Sequence, residues 1–209
     1  MGVLLDLLFP PKCVFCGKLL RRTEREICLN CLHTLPERDR GKRTPGAGVC
    51  IAPLYYEGTV SESVRRFKFG GMTAYAAVYG KLLAAKIGKT DAELVTWIPV
   101  SRLRRFGRTY DQTELLAKET AKCLRKPCVS VLRKKHTKKQ SQSGAYAARK
   151  ANIAGAFSVT DTEAVRGKRF LLIDDICTTG ATLSEAVRVL KLAGAEQVIC
   201  AVFAATREK

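Results

Sequence analysis

Phe170-Leu171-Leu172-Ile173-Asp174-Asp175-Ile176-Cys177-Thr178-Thr179-Gly180-Ala181-Thr182-Leu183 is the stretch that decides the fold. Four continuous apolar residues read as a strand buried on both faces. Two adjacent carboxylates stand where that strand is expected to end. A Thr-Thr-Gly turn follows. Beyond it Leu183, Ala186, Val187 and Leu190 fall at helical spacing, so a helix is expected to start near Thr182. In such a strand–loop–helix the loop amides and the helix N-terminus converge on one point with partial positive charge. Thr178, Thr179 and Thr182 add hydroxyl donors, and Gly180 allows positive φ or a close backbone approach. This arrangement suits a phosphate dianion. Asp174 and Asp175 would repel phosphate but suit the vicinal hydroxyls of a sugar, directly or with a divalent cation. Phosphate and diol together describe a ribose 5-phosphate group. The alternative is that Asp-Asp only caps the next helix and Thr-Thr-Gly is only a turn.

The whole string, Asp174 to Leu183, resembles the signature with which type I phosphoribosyltransferases bind phosphoribosyl pyrophosphate (PRPP). It is not a Walker loop, because the Gly-Lys-Ser/Thr ending is missing.

Outward from this stretch, apolar runs alternate with helical patterns. Cys50 to Tyr56, Leu94 to Val100, Val129 to Leu132, Asn152 to Val159 and Gln197 to Ala204 read as strands. Val60 to Phe69, Ala74 to Ile87, Tyr110 to Arg125 and Gly144 to Lys150 read as helices, with Asp111 as N-cap of the third. The alternation predicts an α/β fold with a twisted parallel sheet flanked by helices. Ligands of such sheets bind at the carboxyl ends of the strands. Ser101 and the cluster Arg102, Arg104, Arg105 and Arg108 follow the Leu94–Val100 strand there; beside the Asp174 motif they are read as a pyrophosphate-holding loop, the alternative being a solvated basic loop.

The N-terminal part differs in kind. Met1 to Phe9 reads as a short helix packed on its own domain rather than a membrane stub. Cys13-x-x-Cys16 and Cys28-x-x-Cys31 then stand 11 residues apart, and can present four thiolates tetrahedrally to a structural Zn²⁺. A segment this short and polar needs such a staple to fold. Pro36 to Gly48 is Pro/Gly-rich and charged and reads as a linker. The expected organisation is a zinc ribbon over 1–46 and an α/β domain over 47–209.

The 209 residues carry a formal charge of +18 from 37 basic and 19 acidic residues, which points to anionic partners. Residues 101–150 hold fifteen Lys and Arg against three acids, a net +12. Within them 133–143 read as a mobile basic lid, and His136 as a loop residue without an orienting partner. No run approaches the roughly 18 apolar residues of a membrane span, and no cleavable leader pattern is present. A cytoplasmic protein with reduced thiols is expected.

Taken together, the chain resembles the ComF (GntX-like) group of phosphoribosyltransferase-related proteins. The likeness runs through the four-Cys knuckle, Lys68-Phe69-Gly70, Ile98-Pro99-Val100-Ser101, Arg108-Thr109-Tyr110-Asp111-Gln112, Leu132-Arg133, Gln140, Arg149, Asn152 and the Asp174–Leu183 block. The chain departs from the group's usual Arg-Gly-Phe-Asn-Gln at 108–112, and carries Cys177 where an apolar residue is usual. The resemblance implies a PRPP-binding fold linked to natural competence, aiding uptake of single-stranded DNA with an ATP-driven helicase partner. In an enzymatic version the 5-phosphate would sit on Thr178, Thr179, Gly180, Ala181 and Thr182. The diol would sit on Asp174 and Asp175, and Mg²⁺ would neutralise the pyrophosphate beside Ser101, Arg102 and Arg108. The alternatives are an active phosphoribosyltransferase of nucleotide metabolism, and a zinc-dependent nucleic-acid or helicase adaptor without turnover.

Overall fold

A computed structural model of the chain describes residues 10–39, 41–44, 46–100, 110–135 and 154–207. Its centre is a six-stranded sheet. Strands β1 (Lys42–Thr44), β2 (Gly48–Ile51), β8 (Gln197–Ala205), β7 (Arg169–Cys177) and β4 (Leu94–Trp97) lie in that order, and β3 (Leu54–Tyr55) also pairs with β8. Every pairing is parallel except β1 with β2. Strands β5 (Leu132–Lys134) and β6 (Phe157–Val159) form a separate antiparallel pair.

The central run of β7 divides between two cores. Leu171 and Ile173 pack in one cluster, Phe170 and Leu172 in the other. That explains the unbroken apolar run: neither face meets water. The first face is covered by α2 (Gly58–Phe69), α3 (Tyr75–Ile87) and α4 (Gln112–Leu124), the second by α5 (Ala181–Leu192) and the β5–β6 pair. Two of the helices end at glycine. Gly70 caps α2, and Gly88, at φ +63°, ends α3. Asp111 caps α4 as expected, its Oδ1 accepting from the amides of Thr113 (3.0 Å) and Glu114 (3.1 Å).

The N-terminal knuckles sit on the first face. Phe15, between Cys13 and Cys16, is fully buried and stacks with Phe203 and tilts against Tyr79, with centroids 6.3 Å away in each case. Tyr79 in turn stacks on Phe203 at 3.7 Å. Ser63 Oγ donates to the Val14 carbonyl at 2.6 Å, and Arg66 Nη2 donates to the carbonyls of Val14 and Phe15. The ribbon is therefore fastened to α2 through the backbone of its first knuckle. Short α1 (Leu29–Thr34) carries Cys31 and is capped by Cys28, whose Sγ accepts from the Cys31 amide.

Two expectations need correction. The segment read as a linker supplies β1, and its described residues Arg38, Lys42 and Thr44 are buried. Polar composition concealed a strand whose alternate residues face inward. The central strand also does not stop before the acids. It continues through Asp174 and Asp175 to Cys177, still paired with β8 as far as Ala205. The expected helices at Met1–Phe9 and Gly144–Lys150 lie outside the described residues, as does His136.

Candidate functional site

The site is the carboxyl end of β7 and the turn into α5. Asp174 and residues 176–183 line one concavity. Gly180 adopts φ +78° as N-cap of α5. A Cβ there would stand 2.2 Å from Thr44 Cγ2, so the turn needs glycine both for its backbone and for the passing strand β1. Among the described residues no carbonyl accepts from the amides of Thr178, Thr179 or Gly180. The Ala181 amide meets only the Thr179 hydroxyl, at 3.4 Å. These donors are available to an anion at the start of a 12-residue helix.

The turn is held from beneath by a residue that sequence reasoning missed. Lys42 Nζ donates to the Thr178 carbonyl, to the Thr206 carbonyl (3.1 Å) and to Thr206 Oγ1 (2.6 Å). It satisfies the carbonyl side of the turn and adds positive charge under the amides. The available signal was the alternation Lys42-Arg43-Thr44, hidden inside a charged segment.

The two acids are not equivalent. Asp174 Oδ1 accepts from the Asp175 amide at 2.8 Å. Burial, and next the Asp175 charge, hold the Asp174 carboxyl well above the usual range. The amide bond and the charges of Lys68 and Lys134 oppose this. Asp175 turns toward α2, where Lys68 Nζ lies 2.8 Å from its Oδ2. Among the described contacts each carboxylate has one oxygen engaged by the protein. The other oxygens can accept from a pair of hydroxyls. They offer a divalent ion only a partial ligand set, so Mg²⁺ would need ligand oxygens as well.

Cys177, just before the turn, is buried beside Cys50 and Thr44, with Thr44 Oγ1 at 3.9 Å. The Cys50 thiol, hydrogen-bonded to it, brings Cys177 down to about 7 against the opposing effect of burial, helped by Thr44, Lys42 and Arg38. The sequence offered no activator for this thiol because its partners come from β1 and β2.

Tyr110-Asp111-Gln112 acts as a brace. Tyr110 donates its hydroxyl to the Phe67 carbonyl, and Gln112 Nε2 donates to the Lys68 carbonyl at 3.1 Å. Asp111 Oδ2 accepts from the Val100 amide at 3.1 Å, fixing the end of the segment that precedes 101–109. Ser101, Arg102 and Arg108 themselves lie outside the described residues. So does most of the 133–143 segment; among its described residues Lys134 places Nζ over the Phe157 ring, 5.4 Å from the centroid.

In the ribbon the sulfurs of Cys13, Cys16, Cys28 and Cys31 all lie within 4.8 Å of one another. Four thiols so gathered fit a closed structural Zn²⁺ site with no position for a substrate.

Residues 112–209 match the phosphoribosyl transferase domain and residues 4–51 the double zinc ribbon domain. Competence protein F of Haemophilus influenzae is 30% identical over 199 residues, covering 90% of this chain and 82% of that protein. The chain belongs to the ComF family. The DNA utilization protein YhgH of Escherichia coli K12 is 24% identical over 200 residues, covering 89% of this ComF-family chain and 86% of its own length. Among solved structures, the glutamine PRPP amidotransferase of B. subtilis, complexed with ADP and GMP, aligns with 60% of the chain and 25% of its own. The TM-score is 0.43 and the identity 24%. Among the described residues no helix is long and apolar enough to cross a membrane.

Proposed function

We propose that this ComF-family protein binds PRPP, or a ribose 5-phosphate-type ligand, at the end of β7, and serves the handling of incoming single-stranded DNA. One observation carries the reading: Asp174 and the Thr178–Thr182 turn line a single concavity, and among the described residues no carbonyl accepts from the amides of Thr178, Thr179 or Gly180. The 5-phosphate sits on the turn, and the diol on Asp174 and Asp175. Ser101, Arg102 and Arg108 reach the pyrophosphate, which enters with Mg²⁺. Bound metal supplies charge neutralisation there. The chain's own part is to orient the sugar and exclude water. Zn²⁺ in the Cys13, Cys16, Cys28 and Cys31 site keeps the ribbon folded against α2. The surrounding organisation is a ribbon over 1–46, whose residues 42–44 add β1 to the sheet, and a phosphoribosyltransferase-like unit over 47–209, in the cytoplasm.

Equilibrium dialysis with labelled PRPP and Mg²⁺ tests the site. Saturable binding that vanishes in Asp174→Ala plus Asp175→Ala supports it; no binding by the natural protein ends it. Release of pyrophosphate across a panel of bases, amines and DNA then separates a transferase from a PRPP-binding protein without turnover.

The +12 balance over residues 101–150 favours a second role beside the first, contact with DNA phosphates. Aromatic residues are sparse in that segment (Phe106, Tyr110, Tyr146), so electrostatics should dominate over stacking. Single-stranded DNA affinity should then fall steeply with salt, and a flat salt response would rule that role out. A helicase partner is read from the family alone and is tested by pull-down with the intact ribbon.

A further inference from the structure

Lys68 closes the last full turn of α2 and meets Asp175 at 2.8 Å, with the two side chains only 19% and 16% exposed. Its backbone is pinned independently of its charge, by Gln112 on its own carbonyl and by Tyr110 on the carbonyl before it. Further back along the helix, Ser63 and Arg66 hold the ribbon. The helix would keep its place with an uncharged residue at 68. A cation is needed there for a different reason. The Asp175 carboxylate stands beside a turn built to receive a dianion, and unopposed it would push that dianion out.

We infer that Lys68 is a functional part of the sugar-phosphate site, a protein-supplied cation that offsets Asp175 so that a pentose 5-phosphate binds without a divalent ion on the carboxylates. This rests on the reading proposed above. It adds that Asp175 serves as a hydroxyl acceptor whose charge is offset inside the protein. Lys68 positions and neutralises through Asp175 and does not touch the ligand. Mg²⁺ then belongs to the pyrophosphate of PRPP, and ribose 5-phosphate, which has none, binds in its absence. The charge of Lys134, on β5, adds a smaller opposing effect at Asp174. Among the described residues only Lys68 makes an ion pair with the acid pair.

The test is calorimetric titration of the full zinc-loaded chain with ribose 5-phosphate in EDTA at a concentration that leaves the ribbon metal in place. The natural protein should bind. Lys68→Met should bind at least tenfold more weakly, and Lys68→Arg within threefold of the natural protein. The deciding variant is Lys68→Met with Asp175→Asn, probed with inorganic phosphate so that loss of a diol acceptor does not intrude. Removing both charges should return phosphate affinity to within threefold of the natural protein, while Lys68→Met alone stays weak. A residue that only supports the helix would leave the double variant as weak as the single one. That result overturns the inference, as does unchanged binding in Lys68→Met. If the natural protein binds neither ribose 5-phosphate nor PRPP, it is the underlying site assignment that fails. Urea unfolding of each variant identifies any that loses affinity by unfolding, and a folded Lys68→Arg with natural affinity then still separates charge from shape.

Discussion

Replacing Gly180 with Ala probes the turn at the point where conformation and packing meet. At φ +78° a residue with a Cβ is held in the left-handed region, which costs about 1–2 kcal/mol. The new methyl would also start 2.2 Å from Thr44 Cγ2, 3.1 Å from Thr44 Cβ and 3.2 Å from Thr44 Oγ1. Forcing one carbon into filled space costs about 1–3 kcal/mol. Thr44 cannot retreat easily, because β1 is hydrogen-bonded to β2 and Thr44 is buried. We expect a loss of about 3 kcal/mol, which for a chain of this size lowers the melting temperature by about 6–12 °C. Thr44→Ser removes the methyl that is struck first and keeps the hydroxyl near Cys177. The pair Gly180→Ala with Thr44→Ser should therefore recover roughly half of the loss, the conformational part persisting. Urea unfolding of the four proteins of this cycle measures both quantities. If Gly180→Ala is as stable as the natural protein, or if Thr44→Ser adds its own cost with no recovery, the turn is not packed as described.

The remaining predictions concern the acids and the metal. Folding favours the protonated form of Asp174, because its carboxyl is held above the usual range. That stabilising contribution is complete below about pH 4, the unfolded value, and is lost as pH rises through the folded value. Asp174→Asn should thus raise the melting temperature at pH 7 while removing sugar-phosphate binding, and the gain should shrink toward pH 4. A gain that grows on acidification would contradict the assignment. Elemental analysis should find one zinc per chain. Stripping it with a strong chelator should release Phe15 from Tyr79 and Phe203, lowering both the melting temperature and the affinity for ribose 5-phosphate, since α2 carries Arg66 and Lys68 together. Arg66→Ala should speed zinc release to a chromogenic chelator, and bound ribose 5-phosphate should slow it in the natural protein by reciprocity. Equal release rates in all three cases would show that ribbon and sugar site are independent.

Much of this was legible in the residues alone. The β7 run, the Asp-Asp pair and the Thr-Thr-Gly turn announce their own geometry, because a strand buried on both faces and a glycine-dependent turn both leave local marks. The two Cys-x-x-Cys pairs are legible for the same reason: metal ligands impose spacing. What escaped is whatever depends on contacts distant in sequence. Lys42 lies 136 residues from the carbonyl it holds, and its segment has linker composition. Lys68 stood out only as part of a recurring Lys-Phe-Gly patch, and its role appears once α2 is packed against β7. Tyr110 and Gln112 read as the start of a helix, and among the described contacts they also brace the end of α2. The strand's continuation past Ile173 was hidden because charged residues at a ligand site break the hydrophobic pattern while β8 still supplies backbone partners.

The central claim is that the amides after residue 175 and the acids before them hold one phosphorylated sugar. Amide chemical shifts followed during titration with ribose 5-phosphate address it residue by residue. The account predicts that the amides of Thr178, Thr179, Gly180, Ala181 and Thr182 move most and saturate together, and that they stay still when Asp174 and Asp175 are both replaced by Ala. Shifts gathered elsewhere in the molecule, with that turn silent, would contradict it.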